Sequence, residues 1–294
     1  MNRNHTIQRL FGQLHSLDNM ESFKSAVELS RIKDPSMVEP VLKYLREVRE
    51  RNPRRLPATA EPLIRCLGKI GNCRVLDDLI LFIRDENPSI REAVVYALGK
   101  INDRNSIPDL VKALADTDKR VRASAARALS ALRDPSSLNA LVIALDDESP
   151  YVAYAAARAL GSLKDSRAFE PLLKALEDPA AREVWKYGKD FLNHSVRLKA
   201  YAKTLKSLEY VDVREAAAYS LGIMRDPRAV QPLSSLLSDD NDRLRGLVAL
   251  SLGRIKDLRA KAPLIAVARD KSSFVRKCVD RALRMLAQQS EDLR

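Results

Sequence analysis

"RVLDDLILFIRDENPSIREAVVYALGKIND" occupies residues 74–103, and its apolar residues fall at helical spacing twice. Leu79, Ile80 and Ile83 share one face of a first helix, and Val94, Val95, Leu98 and Ile101 share one face of a second. Three further segments lie beneath it without gaps: "NSIPDLVKALADTDKRVRASAARALSALRD" (105–134), "SSLNALVIALDDESPYVAYAAARALGSLKD" (136–165) and "RAVQPLSSLLSDDNDRLRGLVALSLGRIKD" (228–257). The closing aspartates Asp103, Asp134 and Asp165 stand 31 residues apart, as do Asp226 and Asp257. A fixed period of this length predicts a solenoid, in which a single unit cannot bury its apolar face alone.

Composition agrees with helix throughout. The 294 residues include only 9 glycines, and hydrophobic and charged residues make up 46% and 31% of the chain. That balance belongs to a folded, soluble protein rather than a disordered one. Met1 to Gln13 is polar and lacks the apolar centre of a secretion signal. No apolar run approaches the ~18 residues of a membrane helix, so no membrane span and a cytoplasmic location are expected. Cys66, Cys73 and Cys278 are too few for a disulfide framework, and the first two are not at a metal-ligand spacing.

Two columns recur at the repeat period. Small residues occupy one place in the second helix, at Gly68, Gly99, Ser130, Gly161, Gly222 and Gly253. Glycine costs about 1 kcal/mol inside a helix, so its recurrence predicts a neighbouring helix passing too close for a side chain. Between the helices an aspartate precedes an arginine by six residues, at Asp85 and Arg91, Asp116 and Arg122, Asp239 and Arg245, and Asp270 and Arg276. The carboxylates are expected to bond amides of the turn and the guanidiniums to tie adjacent turns.

The second-helix pattern shared by "IREAVVYALGKIND" (90–103) and "VREAAAYSLGIMRD" (213–226) resembles the short bacterial and archaeal kind of HEAT repeat, known from phycobilin lyase subunits. The resemblance covers nearly the whole chain. It implies an all-α fold, an α-solenoid of about eight HEAT-like helix pairs in a right-handed superhelix, with 1–294 as a single array. The units are 6–34, 35–72, 73–103, 104–134, 135–165, 166–226, 227–257 and 258–289.

Two units exceed the period. Asp34 to Asn72 spans 38 residues, an excess of 7, and Asp165 to Asp226 spans 61, an excess of 30. The first excess falls in "YLREVRERNPRRLPAT" (44–59). The second is a helical block inserted in the sixth repeat, 179–212, which holds five of the fifteen aromatics: Trp185, Tyr187, Phe191, Tyr201 and Tyr210. Both additions lie between the helices of their unit and are expected on one edge of the array, where repeat proteins often bind partners. The net charge of +12 is also uneven: residues 1–72 carry +5, the block +3 and 258–294 another +5, while the rest sums to −1.

A further column runs along the second helices, through Arg65, Tyr96, Arg127, Arg158, Tyr219, Leu250 and Arg281. On the concave side of a solenoid it would form a ladder for an acidic partner, or belong simply to the repeat. The aromatics of the block likewise have two readings: they pin an extra helix to the array, or they anchor an interface.

Catalytic patterns are missing: no phosphate-cradling glycine loop, no His-Glu-x-x-His run, no paired cysteines. Some HEAT-type proteins are di-iron hydroxylases whose ligands are His-Glu pairs; here His5, His15 and His194 precede Thr6, Ser16 and Ser195, so those ligands are absent.

The first functional expectation is a non-enzymatic scaffold for a protein with an acidic surface, without cofactor or metal, binding on the concave face and the insertion edge. Its candidate residues are Arg49, Arg51, Arg54 and Arg55 in the first insertion; Arg127, Arg158 and Tyr219 in the column; and Arg182, Trp185, Lys186, Tyr187, Lys189 and His194 in the block. A second expectation follows from the resemblance. A bilin lyase-like subunit or phycobiliprotein chaperone would flank a tetrapyrrole with Trp185 and Tyr187 and meet its propionates with Arg182 or Lys186. The third is nucleic-acid binding through "REVRERNPRR" (46–55) and the basic block, which a pI near 9.7 permits.

Overall fold

The computed structural model describes residues 3–16, 18–32, 34–177 and 212–292, and among them every regular element is helical. They form two compact units, Met1–Ser137 and Leu138–Arg294. In the first, α1 (Arg3–Leu14) pairs with α2 (Asn19–Ile32), α3 (Val38–Arg51) with α4 (Ala60–Ile70), α5 (Leu76–Ile80) with α6 (Pro88–Ile101), and α7 (Ile107–Ala113) with α8 (Lys119–Leu132). In the second, α9 (Leu138–Ala144) pairs with α10 (Pro150–Leu163), α11 (Phe169–Glu177) with α12 (Val213–Met224), α13 (Val230–Ser235) with α14 (Asp242–Ile255), and α15 (Lys261–Ala266) with α16 (Ser273–Asp292). The second helices stack directly, α2 on α4 on α6 on α8 in one unit and α10 on α12 on α14 on α16 in the other. Between them lies the core, with Leu63, Ile64, Leu67, Val94, Val95 and Leu98 fully buried in the first unit.

The small-residue column marks where these helices touch. A Cβ added at Gly68 would sit 2.5 Å from the Cα of Ala97, and one at Gly253 2.7 Å from the Cα of Ala282. The loss of helix propensity is offset by backbone-close packing along the stack.

The closing aspartates have a local cause as well. Helices α4, α6, α8, α10, α12 and α14 each end on a left-handed residue, Gly71, Asn102, Arg133, Lys164, Arg225 and Lys256. The next side chain then caps a 3-10 turn that opens the following unit. Asp103 accepts the amide of Asn105 at 2.9 Å, Asp134 that of Ser136 at 3.0 Å, Asp226 that of Arg228 at 2.9 Å, and Asp257 that of Arg259 at 2.9 Å. At Asp165 the Arg167 side chain and amide together hold the carboxyl down at about 2.

The six-residue aspartate–arginine column is a run of rungs. Arg91 donates Nε–H and Nη2–H to the carboxylate of Asp116, both at 2.7 Å, and Nη1–H to the carbonyl of Asp85 at 2.8 Å. Arg245 repeats this with Asp270 at 2.8 and 2.9 Å and the carbonyl of Asp239 at 2.7 Å. Arg214, only 2% exposed, donates Nη1–H to Asp239 at 2.9 Å and clasps Asp212 with its other nitrogens. In each rung the carboxylate lies 25 residues beyond its arginine, so the bond ties one unit to the next.

The expected apolar face of the first helix in 74–103 is shifted. Ile80 and Ile83 are only half-buried, whereas Val75, Leu76, Leu79 and Phe82 are buried. Helix α5 lasts five residues, after which Phe82 and Ile83 donate to the carbonyls of Leu79 and Ile80, three back. Three-residue turns align positions i and i+3, so Leu76, Leu79 and Phe82 take the inner face. Cys66 and Cys278 are buried, but Cys73 is exposed. The block 179–212 lies outside the described residues except for Asp212, which is buried and caps α12 through the amide of Arg214 at 3.0 Å.

Candidate functional site: an arginine-lined pocket

The seven extra residues of the second repeat, 35–72, take the form of a longer first helix and a folded-back loop. Helix α3 has 14 residues where α7 has 7, and residues 52–59 then return to α4. Three contacts pin this loop. The Leu56 amide donates to Asp85 Oδ2 at 2.8 Å, the Glu86 amide donates to the Arg54 carbonyl at 2.9 Å, and the hydroxyls of Tyr44 and Thr59 lie 2.9 Å apart. Burial pushes the Tyr44 hydroxyl above its ordinary pKa, so it holds this bond in the neutral form. Asp85 is fully engaged, since its Oδ1 accepts the Asn87 amide at 2.8 Å.

Pinned in this way, the loop closes a pocket of about 300 Å³ against residues 81–86. Arg49, Arg54 and Arg84 line it together with Leu56, Leu81 and Phe82. An adjoining pocket of about 330 Å³ is lined by Arg51 and Arg55 and shares Leu56. The four arginines expected from this insertion are thus divided between two neighbouring cavities.

Their pairing separates them from the arginines of the rungs and caps. Arg46, on the same helix, binds both carboxylate oxygens of Asp78 at 2.8 and 2.7 Å. Arg49, Arg51, Arg54 and Arg55 make no ion pair among the described residues. Arg49 instead lays its guanidinium over the Phe82 ring, 5.2 Å from the centroid, and its Nη1 is buried with no hydrogen-bond partner among the described residues. A buried donor left unmade costs about 1–3 kcal/mol.

The second-helix column is more self-contained. Arg65 reaches Glu61 at 3.1 Å and Glu92 at 3.4 Å and stacks on Tyr96 at 5.1 Å. In the second unit Arg158 and Arg254 both approach the Tyr219 ring, at 3.8 and 4.7 Å. Arg127 and Arg281 are exposed. Arg182, Trp185, Lys186, Tyr187, Lys189 and His194 lie outside the described residues. His15 packs edge-on against Tyr44 at 5.5 Å, and no group of His, Cys, Asp and Glu among the described residues is arranged to hold a metal ion. No helix among them is long and apolar enough to cross a membrane.

Sequence reasoning missed Arg84, Leu81, Phe82 and Arg254. A signal existed for Leu81: one period later the same place is held by Lys112, so an apolar residue there departs from the pattern, and it is 55% exposed.

A profile of HEAT repeats matches residues 54–130, 107–185 and 198–284, together more than half of the chain. The chain belongs to the HEAT-repeat family. The chain is also similar to solved structures of low identity. The Escherichia coli protein YibA is 16% identical with a TM-score of 0.59, over 96% of this chain and 94% of that one. The complex of CpcE and CpcF of phycocyanin lyase from Nostoc sp. is 17% identical with a TM-score of 0.48, over 95% and 94%. Human deoxyhypusine hydroxylase is 20% identical with a TM-score of 0.38, over 97% and 96%. At 16% identity the likeness to YibA is one of fold. Among curated proteins, none matches this sequence.

Proposed function

We propose that this HEAT-repeat protein is a cytoplasmic, non-enzymatic scaffold that binds a partner through that partner's acidic surface. The observation that carries this reading is the gathering of Arg49, Arg51, Arg54 and Arg55 on two adjoining pockets, none of them held in an ion pair among the described residues. In the rungs and caps the same side chain is consumed, as at Arg91, Arg167, Arg214 and Arg245. Unpaired guanidiniums beside exposed apolar surface suit a protein interface, where arginine is enriched. Nucleic acid fits less well, because a phosphate backbone needs basic charge along its length, whereas residues 73–178 and 213–257 together carry −1. The bilin-chaperone reading turns on Trp185 and Tyr187, which lie outside the described residues.

Affinity capture tests the proposal with three baits: the intact chain, a chain lacking 182–210, and an Arg51→Glu/Arg54→Glu/Arg55→Glu variant. The intact chain is expected to retain a partner at low salt and release it at high salt, and the arginine variant to lose it. Equal retention of the same partner by the intact chain and the arginine variant would overturn the assignment.

A further inference from the structure

Pocket chemistry narrows what kind of acidic surface fits, an inference that rests on the scaffold reading above. Among the described residues, the Arg49 Nη1 donor is buried with no hydrogen-bond partner, and Arg54 and Arg84 line the same pocket without an ion pair, so these guanidiniums are not committed within the fold. Apolar surface stands among these charged side chains: Leu56 and Phe82 are buried at the wall, and Leu81 is 55% exposed. An occupant that supplied only charge would leave that apolar surface wet. One that supplied only an apolar side chain would leave Arg49 unpaired. The cavity of about 300 Å³ takes a single side chain and its neighbouring carboxylate rather than a folded element. Beyond Leu56 the second pocket offers Arg51 and Arg55 to a further carboxylate.

Charge decides between carboxylate and phosphate. Asp85 is satisfied by the amides of Leu56 and Asn87, but it and Glu86 remain on the pocket wall. A dianionic phosphate would meet both carboxylates at short range, whereas a monoanionic carboxylate meets half that repulsion and still satisfies Arg49. We propose that the Arg49–Phe82 pocket and its neighbour receive an extended acidic peptide of a partner protein, an apolar side chain seated between two carboxylates.

Fluorescence anisotropy on the full chain tests this with a fluorescein-labelled peptide in which leucines alternate with aspartates. Saturable binding that weakens with salt is expected. Arg49→Met keeps an unbranched side chain over Phe82 but removes the donors, and should weaken binding roughly tenfold. Arg54→Gln with Arg84→Gln, at exposed positions that carry no fold contact through the guanidinium, should weaken it as well, while Arg104→Gln outside the pocket should not. Peptides with asparagine for aspartate, or with alanine for leucine, should bind at least roughly tenfold more weakly. Unchanged affinity in Arg49→Met and in the Arg54/Arg84 double variant would overturn the proposal, as would tighter binding of a phosphoserine peptide or of single-stranded RNA. If capture finds a salt-sensitive partner that ignores Arg49→Met, the scaffold reading stands and this pocket assignment falls. If the peptide binds as described but capture yields no partner, the reverse holds.

Discussion

Arg91 binds its own unit by a carbonyl and the next by a carboxylate, so its planar fork sets the spacing between them. Lysine has the charge but not the two parallel donors. Arg91→Lys is therefore expected to lower stability by about 1–3 kcal/mol in urea unfolding, whereas Arg49→Met should leave it nearly unchanged. Asp270 gives a pH signature. The bond from Arg245, aided by the Ser272 amide, holds its carboxyl below the ordinary aspartate value of 3.8. A depressed acid stabilises fully above its unfolded value and less as pH falls through the folded one. The second unit should therefore lose stability on acidification below that value. Asp270→Asn should be weaker at neutral pH and show a flatter acid limb, read by urea unfolding at acid and neutral pH. Rungs of this kind were legible in the sequence, because the six-residue aspartate–arginine spacing recurs and a recurring charge pair needs a recurring partner. Arg49 was legible as a basic residue of an insertion, but its missing partner was not, since an unmet bond is visible only when the surroundings are.

At the scale of the helix, the small-residue column makes a sharp steric demand. Gly68→Ala improves intrinsic helix propensity by about 1 kcal/mol, yet its Cβ would meet the Ala97 backbone. The clash should win, with a net loss of about 1–3 kcal/mol in thermal or urea unfolding and little change in far-ultraviolet dichroism. Helix pairs, caps and close crossings were readable because each is set by a few residues at a fixed separation. Helix α5 was misread where the period shortened from 3.6 to three residues per turn, which moved Phe82 inward and Ile83 partly outward. The pocket was not readable at all. It depends on the Leu56 amide reaching Asp85, 29 residues on, and local periodicity says nothing about such a bond. Arg84 and Leu81 enter it only because the loop folds back onto them.

Across the whole molecule, a net charge of +12 makes any acidic partner sensitive to ionic strength. The Arg51→Glu/Arg54→Glu/Arg55→Glu variant should show a shallower dependence of binding on salt than the parent chain, measured by titration at several ionic strengths. The regular rungs have another consequence. Removing residues 227–257 would take out one period and keep three of the joins at the seam chemically matched, while Ser272 would replace Asn241, which donates to Asp212 and Glu215. Arg214 would meet Asp270 in place of Asp239, Gly222 would meet Ala282 in place of Ser251, and Asp226 would cap the turn at Arg259 in place of Arg228. The number of modules is therefore adjustable, and a chain shortened by that module should still unfold cooperatively. Length in such a protein is set by what has to be reached, not by what is needed to fold.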